Sequence, residues 1–236
     1  MKQHIQHILS FLHSALLRGC WVLFFLGSFS CIQAQLNTDR ITAIGRNALY
    51  FEDYVLSIQY FNQVIKLKPY LAEPYLFRAI AKIQLEDYQG ALRDCDASVE
   101  RNPFQPGAYY TRGFVYRQLR EFDLAEQDFT QALVFSPENK TYLLLRADTR
   151  AAQKEYNLAM SDLQTLLRRE PQSASLLFEK GAICLQMQDT TCAVEAFTRT
   201  TELDSQNPAN WSALGVVSLM QDNEDDALVQ LTRAIN

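Results

Sequence analysis

The residues with the clearest chemical pattern in this chain are arginines and aspartates at a fixed spacing. Three arginines stand 34 residues apart and an aspartate follows each by 16, which pairs Arg78 with Asp94, Arg112 with Asp128, and Arg146 with Asp162. Opposite charges at a constant spacing predict structural ion pairs between neighbouring helices. The alternative is a row of cations that grips an acidic peptide. The matched acids favour the ion pairs.

The cysteines offer one candidate covalent link and no metal site. Cys184 and Cys192 are eight residues apart and are expected to face each other across a turn. They are a candidate disulfide if the chain reaches an oxidising compartment and their Cα atoms lie within about 7 Å. Cys95 is expected to be a buried apolar side chain. After residue 34 these are the only three cysteines and there is no histidine, which does not make a zinc site, so no metal is expected.

The sequence shows no catalytic centre. The three histidines, His4, His7 and His13, all lie within the first 34 residues, and the rest of the chain has none. Most hydrolase and proton-transfer chemistry then lacks its usual base. No phosphate-binding loop and no nucleophile–base pair is found. We predict that the protein is not an enzyme and uses no cofactor or small-molecule substrate. The formal charge of −5 argues against nucleic acid as a partner.

Residues 1–34 have the pattern of a secretory signal peptide. Lys2 and Arg18 are their only charged side chains, and a run of ten mostly apolar residues follows. This run is shorter than the roughly 20 residues of a spanning helix, so we expect cleavage after Ala34. An uncleaved anchor and a lipoprotein modified at Cys31 are the alternatives. The style of the signal favours a periplasmic or secreted protein of a Gram-negative bacterium.

The rest of the chain repeats one motif of 34 residues. Prolines fall at Pro69, Pro103, Pro137 and Pro171, and an aromatic residue precedes each of them by 15 positions. Small residues stand 12 and 24 positions before each proline. Such self-similarity is typical of a repeat protein. Within a domain over residues 35–236, the predicted repeats cover residues 38–71, 72–105, 106–139, 140–173, 174–207 and 208–236.

Each repeat is predicted to form two helices joined by a short turn. Proline ends the second helix because it has no N–H and restricts the residue before it. The small residues let the two helices approach closely, and we expect Gly113 to lie against Ala125. One repeat cannot bury its own apolar face, so neighbouring repeats stack. The predicted fold is an all-α solenoid of antiparallel helix pairs.

The motif resembles the tetratricopeptide repeat (TPR) family, over about residues 38–236. The fullest match is the third repeat, whose pattern residues are Tyr109, Gly113, Tyr116, Phe122, Ala125, Phe129, Ala132 and Pro137. The resemblance implies a superhelix that binds a protein or peptide partner in a concave groove lined by the first helix of each repeat. The groove positions here are Leu76, Ile80, Tyr110, Phe114, Leu144, Phe178, Leu185, Val216 and Leu219.

These groove positions form an apolar, aromatic strip, which marks partner contact if it is exposed. Some of the side chains could instead pack between repeats. The carboxylate clamp of TPR proteins that bind chaperone C-termini needs Lys, Asn and Arg at set positions. When the clamp is aligned from the third repeat, those positions carry Tyr110, Phe114, Leu145, Ser175 and Glu179. Aligned from the second repeat, they do not carry the required Lys, Asn and Arg either. A role as a chaperone co-factor is therefore unsupported.

The last repeat stops inside its second helix without a polar capping helix. Solenoid ends usually need one, so we expect Leu228, Leu231 and Ile235 to form a docking face for a partner or a second copy. We predict a non-catalytic interaction module, as a scaffold subunit of a bacterial cell-envelope assembly. The alternative is a transient peptide receptor or chaperone-like adaptor. Sequons at Asn139 and Asn210 keep a eukaryotic secretory origin open.

Overall fold

A computed structural model describes residues 38–235, and within them the chain is helical with no strand. The first helix, α1, covers residues 38–50 of the described part. The helices that follow are α2 Tyr54–Leu67, α3 Glu73–Gln84, α4 Tyr88–Arg101, α5 Pro106–Gln118, α6 Phe122–Phe135, α7 Lys140–Ala152, α8 Tyr156–Leu167, α9 Ala174–Gln186, α10 Thr190–Leu203, α11 Pro208–Met220 and α12 Glu224–Ile235. The expected signal peptide lies outside the described residues. The predicted all-α solenoid of helix pairs is confirmed.

The described chain divides into two compact units after Asp87. The first unit holds α1, α2 and α3, and its α2 packs against α3. The second unit holds α4 to α12, in which each helix packs against the next along the chain. Its core is built of fully buried side chains such as Phe129, Leu163 and Phe197.

The turn inside every repeat has the same backbone geometry. One residue in each turn has a positive φ of 58° to 65°, and these residues are Glu52, Glu86, Arg120, Lys154, Gln188 and Asp222. In the third repeat the Arg120 N–H donates to the Arg117 carbonyl at 3.0 Å, and the Glu121 N–H donates to the Tyr116 carbonyl at 2.9 Å. These two bonds satisfy the last carbonyls of the first helix in a Schellman motif. The left-handed residue returns every 34 positions, in the phase of the predicted repeat.

The turn between repeats is held by an aromatic side chain. The second helices α2, α4 and α6 each end two residues before a proline of the repeated motif. The Tyr75 hydroxyl donates to the Pro69 carbonyl at 3.1 Å, and the Tyr109 hydroxyl donates to the Pro103 carbonyl at 3.0 Å. The Trp211 indole N–H donates to the Ser205 carbonyl at 2.9 Å, at the equivalent position. An aromatic with a polar tip thus packs its ring and satisfies a carbonyl left over at a helix end.

The small residue on the first helix allows close packing, and in the third repeat two side chains of the second helix lie nearest to it. A Cβ on Gly113 would lie 3.0 Å from the Phe129 ring and 3.1 Å from the Asp128 Cβ, so these side chains and not Ala125 are its closest neighbours. A Cβ on Gly181 would lie 2.6 Å from the Phe197 ring. The reason is size, because a phenylalanine one helical turn beyond the alanine reaches across to the facing helix. Gly113 and Gly181 each make room for a ring.

Candidate functional site

The predicted groove residues of the second unit lie on α5, α7, α9 and α11, which are the first helices of their repeats. We call the surface that these four helices form the first-helix face. Val216 and Leu219 are 47% and 48% exposed. The other predicted residues of this unit are half-buried, and they are Tyr110, Phe114, Leu144, Phe178 and Leu185. The face is therefore apolar but only partly open to solvent.

In the first unit, α3 carries the other two predicted groove residues. Leu76 is buried, with 6% of its surface exposed, so its assignment to an open groove was wrong. Its side chain belongs to the apolar interior around α3, together with Tyr75 and Ala79. Ile80 is partly buried.

Two of the predicted groove aromatics take part in packing between helices. The Tyr110 ring stacks on Tyr142 of α7, with 5.1 Å between ring centroids, and lies 6.4 Å from the Phe129 ring of α6. Phe178 of α9 meets the buried Phe197 of α10 edge to face at 5.3 Å. Such pairs contribute about 0.5–1.5 kcal/mol beyond area burial. These rings therefore help to join the helices as well as to shape the face.

Two adjoining cavities open on the first-helix face. One has a volume of about 140 Å³, and its lining includes Leu144, Asp148, Leu176 and Ile183 from α7 and α9. The other has a volume of about 250 Å³, and it is lined by α9, by α11 and by the turn between α10 and α11, with Phe178, Asp204 and Asn207 among its residues. Both cavities share Ser175 and Glu179 of α9. Clefts of this kind, apolar with a few polar groups, are where proteins bind ligands.

The charges beside these cavities are unevenly balanced. Arg117 of α5 forms an ion pair with Asp148 of α7, while its buried Nε has no hydrogen-bond partner among the described residues. Glu179 forms no ion pair with any described residue, and burial together with the neighbouring Asp148 raises the pKa of its carboxyl group. The Glu179 side chain is nevertheless exposed to solvent, so its carboxylate is accessible to a cation from a partner.

Two of the predicted Arg–Asp pairs are brought together in the second unit. Arg112 donates to both carboxylate oxygens of Asp128 at 2.8 Å and also to Asp96 at 2.7 Å. Arg146 donates to the two carboxylate oxygens of Asp162 at 3.0 and 2.7 Å. Asp128 and Asp162 are buried. The bidentate geometry is the strong form of this ion pair. These guanidinium groups therefore bind aspartates of the protein itself, as the predicted structural ion pairs require.

These pairs also shift the ionisation of their members. The hydrogen bond to Asp128 raises the pKa of the Arg112 guanidinium above its ordinary value, so this side chain stays charged. Burial raises the pKa of the Asp128 carboxyl, and the two hydrogen bonds from Arg112 oppose that effect. In the first unit Arg78 donates to the Asn62 amide oxygen at 2.5 Å. Asp94 belongs to the second unit, and its pairing with Arg78 stays a prediction.

The structure contains the candidate disulfide. Cys184 of α9 and Cys192 of α10 are bonded to each other, with 5.7 Å between their Cα atoms. Cys95 is a buried free thiol, and desolvation raises its pKa to about 12, which makes it a poor nucleophile. Within residues 38–235 there is no group of His, Cys, Asp and Glu side chains that could hold a metal ion. None of the helices in that range combines the length and the apolar run needed to cross a membrane.

The predicted C-terminal docking face is only partly exposed. Leu228 and Ile235 are 68% and 87% exposed. Leu231 is partly buried, because it covers Gly215 so closely that a Cβ there would lie 2.7 Å from the Leu231 Cγ. Its inclusion in an uncovered face was therefore wrong. Leu231 takes the place that Phe129 and Phe197 hold in earlier repeats.

The asparagines of the two predicted sequons make hydrogen bonds within the protein. The Asn139 side chain caps α7 by accepting from the Tyr142 N–H at 3.1 Å. Asn210 is 3% exposed, and its amide nitrogen donates to the carbonyls of Thr200 and Asp204. A glycan on the Asn210 amide would replace one of its two N–H donors and would need space that this buried side chain does not have.

Comparison with known proteins identifies the repeats. Two family models described as tetratricopeptide repeat match residues 106–139 and 144–208. No match is found among curated proteins. The solved structure of PilW, titled a widely conserved type IV pilus biogenesis factor, is 17% identical, with a TM-score of 0.70 over 82% of this chain and 90% of that chain.

Two further solved structures have the same fold. MamA from Desulfovibrio magneticus RS-1 is 18% identical, with a TM-score of 0.64 over 70% of this chain and 93% of that one. YrrB, titled a TPR protein with an unusual peptide-binding site, is 23% identical, with a TM-score of 0.62 over 74% of this chain and 90% of that one. At these identities the likeness concerns the fold. The family matches and the recurring helix pairs identify the chain as a tetratricopeptide-repeat protein of about six repeats.

Proposed function

We propose that this protein is a non-catalytic module that binds a segment of a partner protein on the first-helix face. TPR repeats are protein-interaction modules, which supports the general role. The observation that carries the specific proposal is the pair of adjoining cavities that share Ser175 and Glu179. Together they offer apolar walls with a few polar groups, as an extended or helical segment requires. The peptide-binding site named for YrrB lies on the same kind of fold.

The proposal is tested by selecting peptides that bind the protein and then measuring their affinity for a variant in which the cavities are filled. A phage-displayed library of random peptides, each about twelve residues long, would be selected on the purified protein, and the affinity of selected peptides measured by fluorescence anisotropy. Ser175 is exposed and lines both cavities, so Ser175→Trp fills them without removing a core side chain. We expect Ser175→Trp to weaken binding by about tenfold or more, which is about 1.4 kcal/mol or more.

The matched control for this variant is Thr198→Trp. Thr198 is exposed on α10, a second helix, and lines neither cavity. Its substitution should leave the affinity within about twofold, a free-energy change well below the 1.4 kcal/mol of a tenfold effect. Circular dichroism would check that both variants keep their helicity. If no peptide is selected, or if Ser175→Trp binds the selected peptides as well as the wild type does, the proposal is wrong.

A scaffold role in a cell-envelope assembly is the second candidate. The observation that supports the scaffold role is the exposure of Leu228 and Ile235 on α12. Apolar side chains exposed to this extent favour contact with another protein. The Cys184–Cys192 disulfide supports an oxidising compartment, as the predicted export to the periplasm or beyond requires. The partner in this case would stay bound through purification, whereas a transient receptor would release it.

A further inference from the structure

We propose that the segment bound on the first-helix face carries a cationic side chain, a lysine or an arginine, that pairs with Glu179. This inference rests on the proposed function and specifies the chemistry of the partner. It comes from the balance of charge around the two cavities, from the position of Glu179 between them and from the apolar surface on either side of that carboxylate.

The lining of the cavities carries excess negative charge. Three carboxylates line them, namely Asp148, Glu179 and Asp204. No lysine or arginine lines either cavity within the described residues. The ion pair nearest to the cavities joins Arg117 to Asp148, so it compensates one of the three acids. A cation supplied by the partner would complement the remaining charge.

Glu179 is the acid best placed to receive that cation. It lies on α9 in the wall that both cavities share, so a side chain entering either of them passes its carboxylate. Its side chain is exposed and thus accessible, while partial desolvation and the nearby Asp148 raise the pKa of its carboxyl group. A bound ammonium or guanidinium group would favour the ionised state and form charge-assisted hydrogen bonds. The partner thus supplies an interaction that the chain itself lacks.

The surroundings of Glu179 suit the stem of a basic side chain. Leu176 and Ile183 lie on one side in the smaller cavity, and Phe178 and Ala209 lie on the other side in the larger one. Lysine and arginine bury their methylene groups along apolar surface while the charged end stays at a polar group. An apolar neighbour of the basic residue in the partner would fill the cavity of about 140 Å³. The expected motif is therefore a basic residue flanked by apolar residues.

The experiment selects the same phage-displayed peptide library on three proteins: the wild type, Glu179→Gln and the control Glu195→Gln. Glutamine keeps the size of the side chain and removes its charge. Glu195 is an exposed acid on α10 that lines neither cavity. We expect wild-type selections to be enriched in lysine or arginine at one aligned position. The enrichment should persist with Glu195→Gln and disappear with Glu179→Gln.

Affinities of one selected peptide complete the test. We expect Glu179→Gln to weaken binding by about tenfold, the loss of one charge-assisted hydrogen bond. When the basic residue of the peptide is replaced by norleucine, wild type and Glu179→Gln should bind it equally. If Ser175→Trp blocks the peptides but they show no basic enrichment, the inference about the cation is wrong and the binding face stands. If Ser175→Trp blocks none of them, the proposed function itself is wrong.

Discussion

At the scale of single residues, the arginines of the repeated motif act as connectors between helices. Arg112 on α5 reaches Asp96 on α4 and Asp128 on α6, so one guanidinium group joins three consecutive helices. Arg150 does the same between Glu126 and Asp162. Because Asp128 and Asp162 are buried, each needs its arginine to remain compensated. These side chains stabilise the stack of repeats.

This role predicts the effect of removing one arginine. Arg112→Met should lower the free energy of unfolding by about 3–5 kcal/mol, because it leaves Asp128 buried without a partner. The double variant Arg112→Met with Asp128→Leu should recover part of the loss, since the uncompensated charge is gone. Urea denaturation followed by circular dichroism would measure both.

An exposed ion pair provides the comparison for Arg112. Lys140 and Glu170 are paired while 43% and 48% exposed. Lys140→Met should therefore change the free energy of unfolding by less than about 1 kcal/mol. Equal losses for Arg112→Met and Lys140→Met would contradict the structural role given to the buried pair.

At the scale of elements, the fifth repeat differs from its neighbours in how its two helices are joined. The first four repeats begin their second helix with an aromatic residue, whereas α10 begins with Thr190. Threonine buries less apolar surface than tyrosine or phenylalanine. In this repeat the Cys184–Cys192 disulfide links α9 to α10 two residues after Thr190. The covalent link thus joins the two helices of a repeat whose second helix does not begin with an aromatic residue.

The stability of the protein should therefore depend on the redox state. Reduction with dithiothreitol should lower the free energy of unfolding by about 2–3 kcal/mol, the value expected for a short closed loop. The melting temperature should fall by about 5–10 °C for a chain of this size. Thermal scans monitored by circular dichroism would measure the shift.

The variant Cys192→Ala is the control for reduction. Cys192 is only partly buried, so its truncation leaves no fully buried cavity, and the variant should melt at the same temperature with and without dithiothreitol. A wild-type melting temperature that does not respond to reductant would show that the link contributes no stability.

At the scale of the whole molecule, the N-terminal segment and the disulfide both concern whether the protein is exported from the cytosol. Residues 1–34 carry the basic and apolar pattern of a secretory signal, and they hold every histidine of the chain. A disulfide between two helices persists in the periplasm or outside the cell and is rare in the cytosol. The proposal of export therefore rests on two independent features, the N-terminal segment and a disulfide that begins 150 residues after its end.

Expression of the full chain in a Gram-negative bacterium tests this proposal. We expect the periplasmic fraction to contain a protein that begins at Gln35 and is two hydrogens lighter than its reduced form, both measured by intact mass. Leu23→Arg interrupts the apolar run of the leader, so this variant should remain full-length in the cytosol with free thiols. A wild-type chain that stays full-length with reduced cysteines would argue against export and cleavage.

Much of the repeat could be predicted from particular residues. The prolines and the aromatics 15 positions before them placed the helix pairs, because proline ends helices and a regular period repeats one packing unit. Other features could not be read in this way. Leu76 and Leu231 were assigned to open faces, but burial depends on which neighbour covers a side chain. The left-handed turn residues were missed because none of them is glycine, although their polar recurrence every 34 positions was a usable signal.

The candidate site, too, could be predicted from the sequence only in part. Glu179 lies at a position where a carboxylate clamp would need a cation, and that reversal of charge in the sequence agrees with the proposed basic residue in the partner. By itself the sequence determined the period, the helix pairs, the family and the absence of histidine after residue 13, since these depend on residue type and spacing. Only the tertiary structure decided that two cavities meet at Glu179 while the arginines of the repeat bind the scaffold. The reason is that exposure and charge balance depend on side chains far apart in sequence, which folding brings into contact.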